Sequence, residues 1–141
     1  MQKLFYILSI ATGLLLATQT AMAVSNPAGF VCRGMDSEGQ KRFCEGMING
    51  RNFSFDALRL CDKMSNDYER LKCLRFSSNR QFERNALALC GVLKGDMMVN
   101  SCIDTIADGT FKSHDLEKCD AQGLSMEKIH CLKLAKGSKT F

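Results

Sequence analysis

The eight cysteines of this 141-residue chain stand at 32, 44, 61, 73, 90, 102, 119 and 131, so intervals of 12 and 17 alternate without exception. A 29-residue unit carrying two cysteines therefore recurs four times. A period of that length marks stacked supersecondary units rather than one irregular domain. The units cover 24–52, 53–81, 82–110 and 111–139, with only Thr140 and Phe141 left over. The predicted organisation is a single repeat domain over 24–141, with no room for a second.

The columns of the superposed units predict two helices each. Six residues before every second cysteine stand Glu38, Asp67, Asp96 and Ser125. Asp and Ser are good N-caps and Glu suits a helix N-terminus, so a helix B starts there in each unit. Six residues after the same cysteine come Gly50, Asn79, Asp108 and Gly137, residue types that tolerate the left-handed conformation closing a helix. Helix B is predicted to be about 11 residues long. In the other half, Phe53, Ala57, Leu58, Cys61 and Met64 fall on one helical face, and Phe82, Ala86, Leu87, Cys90 and Leu93 repeat it. Ser54 and, in the first unit, Ser25 are the expected N-caps of helix A, with Pro27 inside its first turn. No run alternates like a strand. The expected fold is all-α: four helical hairpins forming an α-solenoid or superhelical array.

Such short helices do not persist in water alone, so cross-links are expected to supplement a moderate core. Cys61 and Cys73 each lie six residues from Asp67, level on two adjacent helices. Cys44 and Cys61 are level across the other turn as well. Counting decides between them, because links across 17 residues would strand Cys32 and Cys131 at opposite ends of the array. The expected disulfides are 32–44, 61–73, 90–102 and 119–131.

The first segment predicts export. Met1-Gln2-Lys3 is a short basic start, Leu4 to Ala17 is apolar, and Ala21-Met22-Ala23 has the small-x-small form of a cleavage site. A signal peptide over 1–23 is expected, since an apolar stretch of about 14 residues is too short to span a bilayer. No stable membrane anchor should remain after cleavage. An even set of cysteines in an oxidising compartment then reads as disulfides, in a periplasmic or secreted protein.

Several function classes find little support. A thiolate copper or zinc binder, for which Met35, Met47, Met64, Met97, Met98 and Met126 would be soft helpers, needs ligands three or four apart on a helix or a C-x-x-C loop, and neither is present. The absence of C-x-x-C also argues against haem attachment and thiol oxidoreduction, and no cofactor is expected. His130 adjoins Cys131, but helical neighbours point about 100° apart and Cys131 completes the disulfide count, so His130 and His114 read as surface residues and the chain as no enzyme. Formal charge by unit runs +1, +2, −2 and +2. With signs interspersed and no tryptophan, a nucleic-acid role lacks both field and stacking platform.

One unit departs from the pattern. Where the others carry Gln40-Lys41, Glu69-Arg70 and Glu127-Lys128, the third carries Met98-Val99, and it has Val92 where the second has Lys63. Val92, Met98 and Val99 are thus candidate contacts for a partner if those columns face water. If helix B of this unit is rotated, they are core, because Asn100 and Ser101 replace the apolar residues found nearby in the other units. The layout over 24–139 resembles the broad class of exported, cysteine-stapled helical-pair repeats to which Sel1-like proteins belong, with a shorter unit and without their glycine and tyrosine signatures. That resemblance implies a binding role. The expected function is a non-enzymatic scaffold for an unidentified protein or peptide. The alternatives are a secreted inhibitor or effector on the same scaffold, and the thiolate metal binder.

Overall fold

The computed structural model describes residues 26–138, and the expected signal peptide over 1–23 lies outside them. The chain is mostly helical. Among the described residues there are eight helices: α1 (Gly29–Arg33), α2 (Glu38–Ile48), α3 (Phe55–Asp62), α4 (Asp67–Ser77), α5 (Arg84–Gly91), α6 (Asp96–Ile106), α7 (Ser113–Asp120) and α8 (Ser125–Ala135). They form four antiparallel pairs, α1/α2 to α7/α8. Each pair is closed by one disulfide: Cys32–Cys44, Cys61–Cys73, Cys90–Cys102 and Cys119–Cys131, with Cα atoms 5.3–5.5 Å apart. The pairs pack in chain order, α3 on α1, α5 on α3 and α7 on α5 in one row, α4 on α2, α6 on α4 and α8 on α6 in the other.

Each longer helix has 11 residues and begins at the predicted position. The caps, however, lie one residue earlier. Ser37 and Asn66 accept hydrogen bonds from Gln40 N–H and Glu69 N–H, while Gly95 and Leu124 fill the same position in the other two. Gly95 has φ +88°, which explains glycine there. The helices close as read, because Gly50, Asn79 and Asp108, one residue past each C-cap, have positive φ of 68°, 57° and 57°. Ser54 stands at the N-cap of α3 without a side-chain bond. In the first pair the shorter helix starts only at Gly29, so Pro27 lies in the turn before it and Ser25 lies outside the described residues. Asn26 organises that entry instead: its Oδ1 accepts from Ala28 N–H at 3.0 Å and its amide donates to Ile48 C=O at 2.6 Å.

The pairs are also tied by two recurring hydrogen-bond devices. At one edge, the first residue of a longer helix reaches back to the preceding turn: Asp67 accepts from the N–H groups of Asp36 and Ser37, Asp96 from Ser65 N–H, and Ser125 from Lys94 N–H. These residues therefore bridge pairs rather than cap their own helices. At the other edge, Asn79 N–H donates to Asn52 C=O while Asn52 N–H donates to Asn79 Oδ1, and Asp108 and Gln81 make the same reciprocal contact. Between the last two pairs the position is Gly137, which has no side-chain acceptor. The backbones pair instead, as a strand β1 (Gly109–Thr110) antiparallel to β2 (Gly137–Ser138). This short strand pair is an addition to the expected all-α fold.

The core runs through all four pairs. Leu58, Leu74, Ile103, Ile106 and Leu132 are fully buried beside the cystines, and only Cys131 among the cysteines stays half-exposed. Burying a side chain of this size contributes roughly 1.5–3 kcal/mol, which is how helices of 8 and 11 residues hold together.

Candidate partner-binding surfaces

Counting from the first residue of each longer helix sets out two stripes on its surface. The first, fifth and eighth positions face the preceding pair. In α4, α6 and α8 they are Asp67-Leu71-Leu74, Asp96-Asn100-Ile103 and Ser125-Ile129-Leu132, all buried or half-buried. In α2, which has no preceding pair among the described residues, the same positions are Glu38, Arg42 and Glu45, all exposed. Glu38 instead pairs with Lys41 at 2.6 Å, and the hydrogen bond and charge of that carboxylate hold the Lys41 ammonium above the ordinary lysine range.

The other end is also made polar, but through the shorter helix. Where inner pairs have buried Ala57 and Ala86, the last has half-exposed Asp115. Where they have half-buried Leu60 and Leu89 it has exposed Lys118, and where they have buried Met64 and Leu93 it has exposed Gln122. The outer side of α8 stays mixed, with Leu134 74% exposed. An open groove of about 1090 Å³ lies there, lined among others by Phe111, Lys118, Met126, His130, Leu134 and Lys136.

The second stripe, at the second, sixth and ninth positions, looks outward in every pair. Its second position is occupied by Gly39 and then by Tyr68, Met97 and Met126, which are 67%, 62% and 61% exposed. Val92 and Leu124, in the turns leading into α6 and α8, are exposed as well. At the sixth and ninth positions of α4, α6 and α8 stand Lys72, Arg75, Ser101, Asp104, His130 and Lys133, a net basic set.

Of the three residues singled out by sequence, only Val92 belongs to this surface. Met98 and Val99 are half-buried and pack against the core. The cause is Asn100, which is fully buried and donates from its amide to the Glu69 carboxylate at 2.6 Å and the Glu69 carbonyl at 3.1 Å. Sequence reasoning missed Tyr68, Met97 and Met126. The column itself was legible, but periodicity alone could not say which face of the longer helices lacks a neighbour.

All eight cysteines are bonded in pairs, so none offers a thiolate, and among the described residues no three His, Cys, Asp or Glu side chains converge on a metal-sized site. No helix among the described residues is long and apolar enough to cross a membrane. At the Asp108 clamp, burial pushes the carboxyl up. The Gln81 N–H, the Arg80 guanidinium 2.8 Å away and the charge of Lys136 outweigh that and hold it below the usual aspartate range. No protein-family model, curated protein or solved structure matches the chain.

Proposed function

We propose that this chain is an exported, non-enzymatic scaffold whose four 29-residue helical hairpins form a tandem superhelical array that binds a protein or peptide partner. The observation that carries the reading is the apolar row Tyr68, Met97 and Met126, exposed at the same position of three successive longer helices while most large apolar side chains among the described residues enter the core. Exposed apolar side chains gathered on one edge and rimmed by charge mark interaction sites. The polar outward positions of α2 and of the last pair's shorter helix support the array, since terminal repeats of a solenoid carry polar outer faces. Four intrachain disulfides fit an oxidising compartment, periplasmic or extracellular, entered after cleavage of residues 1–23. An inhibitor or effector built on this scaffold would use the same edge.

The test is affinity capture by the oxidised mature protein from the native exported fraction, followed by calorimetry with each captured species. A saturable, stoichiometric polypeptide ligand supports the reading. Capture of none, or turnover of a small molecule by the purified protein, contradicts it.

A further inference from the structure

We propose that the outward edge carrying Tyr68, Met97 and Met126 receives an acidic amphipathic helix of a partner protein, lying across α4, α6 and α8 with one apolar residue for each hairpin it crosses. The inference rests on the scaffold reading and gives its partner a class. Among the described residues, five of the eight large exposed apolar side chains, namely Tyr68, Val92, Met97, Leu124 and Met126, lie on these helices or in the turns leading into them. Of these, Tyr68, Met97 and Met126 come from three successive pairs at equivalent places, so the row repeats at the spacing of packed helices, roughly 8–10 Å. A helix rises about 10.5 Å in seven residues, so apolar residues at every seventh position of a crossing helix keep step with the row. A three-residue repeat in an extended peptide spans a similar length, about 10 Å, but would lay unpaired backbone groups over apolar side chains. The strand pair at 109–110 and 137–138 follows the C-termini of α6 and α8, at the far edge from the row.

Charge sets the rest of the partner. At the sixth and ninth positions of this stripe Lys72, Arg75 and Lys133 outnumber Asp104, so the flank of the bound helix that lies over them is acidic. Methionine suits such a surface, because an unbranched, polarizable side chain adapts to the knob it meets. Since Met126 and His130 also line the groove on the last pair, a helix running past α8 extends into that groove.

The experiment titrates the oxidised mature protein into two fluorescent peptides of equal composition, both stapled to be helical. One has leucine at every seventh position with glutamate at its flanks, and the other has the same leucines at every fifth. Expected is saturable one-to-one binding of the first, at least about tenfold tighter than the second, lost with Met97→Glu and weakened by salt. Equal binding of both peptides, binding of neither, or a Met97→Glu variant that binds as well as wild type overturns the proposal. Binding of the protein to phosphatidylglycerol vesicles but to neither peptide assigns the row to a lipid surface, and self-association abolished by Met97→Glu assigns it to a second copy; either result also overturns it. If Met97→Glu still captures the partner of the native exported fraction, the scaffold reading stands and this site for it falls.

Discussion

The first and last helix pairs share a backbone plan with the two between them and differ in which columns of that plan are polar. In α2 the positions that face the preceding pair elsewhere are Glu38, Arg42 and Glu45, whereas in α4 they include the fully buried Leu74. In α7 and the turn after it, Asp115, Lys118 and Gln122 replace the Ala86, Leu89 and Leu93 that an inner pair turns toward its follower. The cysteines and turn residues are therefore kept where they make each pair, and the remaining columns change with whether a neighbour covers them. Burial, rather than helix propensity, decides those positions.

The contrast is broken most forcefully by exchanging the columns. Leu74→Glu places a carboxylate between α4 and the first pair and should cost about 3–5 kcal/mol. Glu45→Leu, at the equivalent exposed position, should change stability by less than about 0.5 kcal/mol. Guanidinium unfolding with the disulfides intact measures both, and equal costs would mean that the columns do not face as described. Next in size is loss of a staple. Replacing Cys61 and Cys73 together by serine should cost about 3 kcal/mol, and the same change at Cys119 and Cys131 less, because the last pair contacts a neighbour on one side only among the described residues. The half-exposed Cys131 makes its bridge the first that dilute reductant opens, as alkylation and mass spectrometry would detect.

The third pair sharpens the comparison. Met98→Gln with Val99→Lys restores the polar type found at Gln40 and Lys41, yet both residues pack on the core, so a loss of about 1–3 kcal/mol is expected by the same unfolding assay. The smallest effect concerns the clamps. Asp108 has a depressed folded-state pKa, so its contribution is present above the ordinary aspartate value of about 3.9 and disappears as pH falls through the lower folded value. Asn79 makes the same clamp without titrating. Asp108→Asn should therefore lower the neutral midpoint slightly, by losing the Arg80 pairing, and flatten the acid limb of the stability curve below about pH 4, and Asn79→Asp should steepen it. Acid titrations of the unfolding midpoint test the pair.

Much of the fold was legible because the cysteine spacing and the closing residues act locally. Gly50, Asn79 and Asp108 take positive φ for reasons that lie in their own side chains, and level cysteines on adjacent helices can reach each other wherever the hairpin sits. What escaped the sequence depends on distant neighbours. Asp67, Asp96 and Ser125 read as caps of their own helices, but their oxygens meet amides about 30 residues upstream. The β1–β2 pairing follows from what Gly137 lacks at a clamp visible only once the pairs are stacked. The apolar pair Met98 and Val99 could be assigned to surface or core only by knowing where the buried amide of Asn100 finds its acceptor.

The central claim, that stacked pairs bury one set of columns and leave the outward edge bare, is tested most directly by methionine footprinting of the native oxidised protein with dilute peroxide. Oxidation follows exposure of the thioether, and six methionines span the range from buried to exposed. The account predicts that Met97 and Met126, 62% and 61% exposed, oxidise first, that half-buried Met47 and Met98 follow, and that Met35 and Met64, each 3% exposed, resist until the protein unfolds. Oxidation of Met35 or Met64 as fast as Met97 in the folded protein would contradict it.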